Sequence, residues 1–180
     1  MTERIRPALT GLVLLSVTIA TGCAPPPPPP APAVIRTGPP PWPAPRDAIS
    51  YLDRLGMERL PLRYQPAHAF TFRLRVRVAG QAVQVPKSLG MDLVRGVQAP
   101  LHTHAADGVV FVEPRRPATF TLGQLFDLWG VRLTRDCLGG GCAGGGRRLV
   151  VAVDGRPVTT DPRALPLAAD RTVTVELSTG

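Results

Sequence analysis

Strict alternation of apolar and polar side chains runs through FTFRLRVRV, residues 70–78. Phe70, Phe72, Leu74, Val76 and Val78 fall on one side of a strand, and Thr71, Arg73, Arg75 and Arg77 on the other. The short Ala79-Gly80 link and QAVQVP predict a hairpin whose second strand stops at Pro86. A second hairpin is predicted from PLHTH and GVVFVEP around an AADG turn. Its register sets His104 opposite Val109, His102 opposite Phe111 and Leu101 opposite Val112. Leu101, Thr103, Val110 and Val112 then share one face, and His102, His104, Val109, Phe111 and Glu113 share the outward one.

The spacing changes to a helical one in TLGQLFDLWG, where Leu122, Leu125, Phe126 and Trp129 form a stripe. Thr121 and Gln124 have capping-box spacing, and Gly130 is a C-terminal stop. Asp47 is placed to cap a short helix reaching about Met57, with Ala48, Ile49, Tyr51, Leu52 and Leu55 inward. RLVVAVDGRPV turns at Asp154-Gly155, and TVTVEL is a last strand with Val173, Val175 and Leu177 toward the core. This order predicts an α+β domain: a β-grasp-like mixed sheet of two or more hairpins packed with one main helix, plus a short N-terminal helix.

The 180 residues, 44% of them hydrophobic, are enough for one packed domain and exclude wholesale disorder. The net charge of +8 comes from 21 basic residues of which only Lys87 is lysine, and the arginines are scattered from end to end. Such an arginine, alanine, glycine and proline bias reads as coding composition, with weak attraction to an anionic surface or polymer as the competing account. Zinc-knuckle, RNA-reading and helix-turn-helix patterns are all missing, so no nucleic acid is expected as a partner.

Residues 1–22 have the plan of a signal peptide: Arg4 and Arg6, then the apolar run ALTGLVLLSVTIA, too short for a convincing membrane span, then ATGC. Small residues immediately before Cys23 resemble a bacterial lipoprotein signal, with Ala20 where leucine is more usual. The resemblance implies a Cys23 carrying diacylglycerol and starting the mature chain; an ordinary signal peptide or plain anchor is the alternative. In residues 24–45, 12 of 22 are proline, which predicts an extended tether holding a domain of residues 46–180 away from a membrane.

With Cys23 lipidated, Cys137 and Cys142 remain as an even pair in DCLGGGCAGGG. A disulfide closing a small glycine-rich loop is expected outside the cytosol. Free thiols remain an alternative. A cysteine metal site lacks a nearby second pair, and a redox role lacks the C-x-x-C spacing.

His102 and His104, two positions apart, point to one side of a strand, where imidazoles can converge on zinc or copper. Asp107 from the turn and Glu113 from the paired strand are local candidates for further ligands, and His68 is the remaining histidine. Two histidines and a carboxylate also meet the ligand set of a facial-triad iron site. The competing reading is two surface polars or internal hydrogen-bonders. Catalysis has less to stand on: Ser50, Ser88 and Ser178 sit in no nucleophile motif, although Asp107 with Glu113 could form an acid/base pair. Nucleotide-loop, nucleophile-elbow and HExxH patterns do not occur.

LHTHAADGVVFVEP, the TFTLGQLFDLWG helix and VVAVDGRPV together resemble a family of uncharacterised secreted or lipid-anchored bacterial domains. The likeness runs from about Phe70 to Leu177 and is most specific over residues 101–130. It implies a histidine-rich first strand, here HAFTFRLRV, in which only His68 is histidine and Thr71 and Arg73 occupy the expected positions. Phe111 likewise stands where a histidine is usual. Metal binding is thus implied for family members, with a reduced ligand set in this chain. The expectation is a lipid-anchored extracytoplasmic domain at the bacterial cell envelope, bound to the membrane through its lipid and recognising an envelope protein or small ligand. A copper- or zinc-binding domain is the first alternative and a small envelope enzyme the second.

Overall fold

The computed structural model describes residues 25–64 and 66–179; the expected leader, residues 1–22, and the expected lipidation of Cys23 lie outside the described residues. In chain order the elements are α1 (Ala48–Leu55), β1 (Leu60–Pro61), β2 (Phe70–Val78), β3 (Gln81–Val83), β4 (Met91–Asp92), β5 (Val97–Gln98), β6 (Leu101–His102) and β7 (Val109–Val112). They continue with α2 (Leu122–Trp129), β8 (Cys137–Leu138), β9 (Gly141–Cys142), β10 (Arg148–Val153), β11 (Arg156–Pro157), a 3-10 turn (Pro162–Ala164) and β12 (Thr172–Ser178). The architecture is mixed α and β, dominated by sheet.

A seven-stranded sheet has the order β11-β10-β12-β2-β7-β6, with β3 also paired to β2. Its centre is a parallel pair, β2 with β12, while the neighbouring pairs are antiparallel. In that register Leu74, Val76 and Val78 align with Val173, Val175 and Leu177, which align in turn with Val153, Val151 and Leu149. One face is therefore continuously apolar, and it packs with α2 in a single core. Arg73, Arg75 and Arg77 stay exposed, as the period-two pattern predicts. Helix α2 buries Leu122, Leu125, Phe126, Leu128 and Trp129, and Thr121 and Gln124 exchange both capping-box bonds. The left-handed Asp154-Gly155 pair turns β10 into β11.

A second sheet, β1-β5-β4, is built from strands too short to show a period in the sequence. It carries the fully buried Asp92, which accepts from the backbone N–H and the guanidinium of Arg95, both at 3.0 Å. Arg95 also reaches Asp47 at 3.4 Å. That contact corrects the expected cap: the Asp47 side chain makes no capping bond to α1.

Much of the proline-rich stretch before residue 46 is packed against the domain. Trp42 is only 3% exposed and meets Trp129 edge-on, with ring centroids 5.9 Å apart. Trp129 Nε1 donates to the Trp42 carbonyl at 2.9 Å. Arg36 pairs with Val131 in a parallel bridge, and its guanidinium donates to the carbonyls of Gly130, at 3.1 Å, and Trp129. Farther back, Tyr51 Oη bonds both polar backbone groups of Val34, Ser50 donates to the Ala31 carbonyl, and Arg95 donates to the Pro28 carbonyl.

The physical reason is reciprocal need. A helix leaves its last carbonyls without partners, and Arg36 supplies donors to two at the end of α2. A proline run lacks donors but keeps its carbonyls, and side chains of α1, α2 and the β4–β5 turn bond them. The seat is tight: a Cβ on Gly139, in the β8–β9 hairpin, would lie 2.2 Å from the Trp42 ring. The Cys137–Cys142 disulfide joins the two strands of that hairpin.

Trp42→Ala should therefore destabilise the domain by about 3–5 kcal/mol, the range for emptying a buried aromatic site. Urea unfolding of the variant checks this, and an unchanged midpoint would mean that the segment is a loose tether.

Candidate functional site: a histidine pair beside Phe111

Strand β6 is two residues long, so only Leu101↔Val112 and His102↔Phe111 of the expected register form. Phe111 pairs onward with Thr71 on β2, giving a cross-strand row His102–Phe111–Thr71. Period two puts this row on the face opposite Leu101, Val110 and Val112.

His104 does not pair with Val109, which corrects the longer hairpin expected. The chain leaves the sheet at Thr103, which is held by the loop before β4. Its hydroxyl donates to the Pro86 carbonyl at 2.6 Å and accepts from Leu89 N–H at 3.1 Å. Its own N–H donates to the Leu89 carbonyl at 3.1 Å, and its carbonyl accepts from Ser88 N–H at 2.9 Å. Fixing Thr103 inward returns His104 to the side of His102. The loop rejoins the sheet through Gly108, whose φ of +82° and whose carbonyl, bonded to Leu74 N–H at 2.8 Å, bring it against β2. A Cβ there would meet the Leu74 carbonyl oxygen at 2.5 Å.

His102 is fully buried, which overturns its expected place on a wet face. Its Nδ1 lies 3.0 Å from the Ala99 carbonyl oxygen. A carbonyl only accepts, so Nδ1 carries the proton of the neutral ring and Nε2 presents a lone pair. That Nε2 is 3.2 Å from His104 Nε2 and 3.7 Å from Glu113 Oε2. Phe111 closes the group, stacked on His102 with centroids 5.7 Å apart and edge-on to His104 at 4.6 Å. Burial depresses the His102 pKa to about 4; the Ala99 carbonyl opposes that shift and His104 adds to it. Burial raises the Glu113 carboxyl pKa, partly offset by His104.

The structure thus brings together His102, His104 and Glu113. Asp107 is not part of the cluster: its carboxylate caps the turn by accepting from Val109 N–H at 2.9 Å, and its carbonyl accepts from Arg73 at 2.8 Å. His68 is exposed in the stretch entering β2, and none of the described contacts ties it to the pair. Among the described residues, no group of three or more His, Cys, Asp or Glu side chains is arranged to hold a metal ion. What exists is a two-nitrogen edge. Its 3.2 Å length is close to the roughly 3.3 Å edge of a tetrahedron with metal–nitrogen bonds of 2.0–2.1 Å. Glu113 stands nearby, and a full coordination shell would need ligands from outside the cluster.

Ser50 and Ser178 donate to the backbone carbonyls of Ala31 and Arg148, and Ser88 sits in a turn with φ +57°. Sequence reasoning missed a cleft of about 360 Å³ lined by Met57, Glu58, Pro100, Pro114, Arg115 and Phe120. Glu58 pairs with Arg115 across it at 3.3 Å, a contact between residues too far apart for a local pattern to reveal.

No family model, curated protein or solved structure matches the chain.

Because the folded-state pKa of His102 lies below the ordinary 6.5, the unfolded chain binds a proton between about pH 6.5 and 4 that the folded chain does not. Its contribution to stability is complete above pH 6.5 and is lost as pH falls toward 4, a change of roughly 3 kcal/mol at most. Glu113, with its raised pKa, acts in the opposite sense. Urea midpoints across this window should accordingly fall less steeply with acid in His102→Gln than in the wild type, and parallel profiles would refute the assignment.

Proposed function

We propose that this chain is an exported, lipid-anchored domain of the bacterial cell envelope, which binds an envelope protein or small ligand there. The observation that carries the reading is the disulfide between Cys137 and Cys142. Such bonds persist mainly in oxidising compartments, and this one leaves Cys23 as the remaining cysteine, directly after a signal-like apolar run. No helix among the described residues is long and apolar enough to cross a membrane; in this reading attachment is through a lipid on Cys23. The central parallel β2–β12 pair with α2 against one face supports a β-grasp-like scaffold. The likeness to secreted bacterial domains is part of the same proposal. Cells fed labelled palmitate should incorporate it into the wild-type chain and not into Cys23→Ser; equal labelling of both would overturn the anchor.

A second reading, transition-metal binding, is favoured by one observation. The Ala99 carbonyl fixes the His102 tautomer so that its free Nε2 faces His104 Nε2 at 3.2 Å. Zinc or copper would draw its first ligands from this pair, with Glu113 as the adjacent carboxylate. Titrating the full chain with zinc or copper(II) should give one equivalent of uptake, abolished in the His102→Ala, His104→Ala double variant. His68→Ala and Asp107→Asn should leave uptake unchanged, and a wild-type chain taking up no metal overturns this reading.

A further inference from the structure

Exposed large hydrophobic side chains are few among the described residues: Val34, Leu93 and Val94. Two of them are neighbours at the tip of the β4–β5 hairpin, where Leu93 is 61% and Val94 75% exposed. The tip is braced from three directions. Asp92, beneath it, bonds the Arg95 backbone and guanidinium. The Gly96 carbonyl accepts from Leu62 N–H at 3.3 Å, tying the turn to the chain beyond β1. Arg95 also contacts Asp47 before α1 and the Pro28 carbonyl of the proline segment.

The contact to Pro28 says where that tip lies along the route of the chain. Five Cα-to-Cα steps separate Pro28 from Cys23. Fully extended, they reach at most about 17 Å. The proline segment beyond them is spread over the domain from Pro28 to Trp42, so it does not act as a spacer. A lipid on Cys23 would therefore hold a bilayer surface within that short reach of Arg95 and of the two side chains beside it. Arg63, exposed one residue beyond Leu62, adds a cation near the same end. Two apolar side chains exposed at a tip, with the Arg63 cation nearby and the Arg95 charge balanced by Asp47 and Asp92, suit the boundary between lipid headgroups and acyl chains.

We propose that the Leu93–Val94 tip is a second membrane contact, dipping into the bilayer interface beside the lipid anchor and fixing the orientation of the domain on the membrane. The proposal rests on the anchored reading given above. It commits to a lipid surface because the path of the chain, from Arg95 through Pro28 to Cys23, leads to one. An envelope protein covering the tip would leave it in water on pure lipid vesicles.

The test uses the full chain, extracted from membranes and reconstituted into phosphatidylcholine–phosphatidylglycerol vesicles with brominated acyl chains. Leu93→Trp places an indole at the tip, and the native Trp42 and Trp129 are buried and form a quiet background. The introduced indole should lose most of its emission in brominated vesicles relative to unbrominated ones, while the wild-type spectrum changes little. Val94→Trp provides the same measurement if the first variant fails to fold. An unquenched indole in a chain that floats with the vesicles overturns the tip contact and leaves the anchor standing. A wild-type chain that stays in the soluble fraction on flotation overturns both.

Discussion

The parallel pairing of β2 with β12 is the constraint on which the other elements depend. It brings residues about a hundred positions apart into one register, Arg73 beside Thr172 and Val78 beside Leu177. Both strands alternate in period two, so a slip of one residue would turn arginines into the core and valines into water. That penalty fixes the register, and the rest is referred to it. Strand β10 pairs to β12, while β7 and β3 divide the remaining edge of β2 between them. Helix α2 then has one apolar face to cover, and its capping box fixes where it starts. The same alternation leaves Thr71 and Phe111 on the face that carries the histidines.

Legibility in the sequence followed the range of the forces involved. Local ones could be read: the alternation of β2, the Thr121–Gln124 box, the glycine stop at Gly130 and the Asp154-Gly155 turn each act within a few residues. Non-local ones could not. Asp47 has a capping residue's chemistry, yet its carboxylate is engaged by Arg95, 48 positions away. His102 looks outward by period two and is buried nevertheless, because residues 86–89 hold Thr103 and bring the loop over the strand. The strands β1, β4 and β5 have two residues each, too few to carry any period.

The candidate site shows the same division. The spacing of His102 and His104 makes their proximity visible in the sequence, and Glu113 Oε2 lies 3.7 Å from His102 Nε2. Asp107 and His68 share the side-chain chemistry and not the geometry. A turn's need for a side-chain acceptor takes Asp107, and the approach to β2 leaves His68 outside. What gives the pair its character is a backbone atom that no motif would flag. The Ala99 carbonyl chooses the tautomer of His102, and burial keeps that ring neutral far into acid. Lone-pair direction and charge state are set by the surrounding fold before any ligand arrives.

The seating of the proline segment has a mechanical side. Its contacts at Pro28, Ala31, Val34, Arg36 and Trp42 follow one another along the chain. A pull on the N-terminal side of Pro28 loads them in series, one after another, as in opening a zipper, and the early ones are single hydrogen bonds. The aromatic lock at Trp42 comes last. Peeling to that point would release roughly 40 Å of extended proline-rich chain while the disulfide hairpin and the sheet stayed intact. At rest the segment is a stowed length, folded against the domain from Pro28 to Trp42.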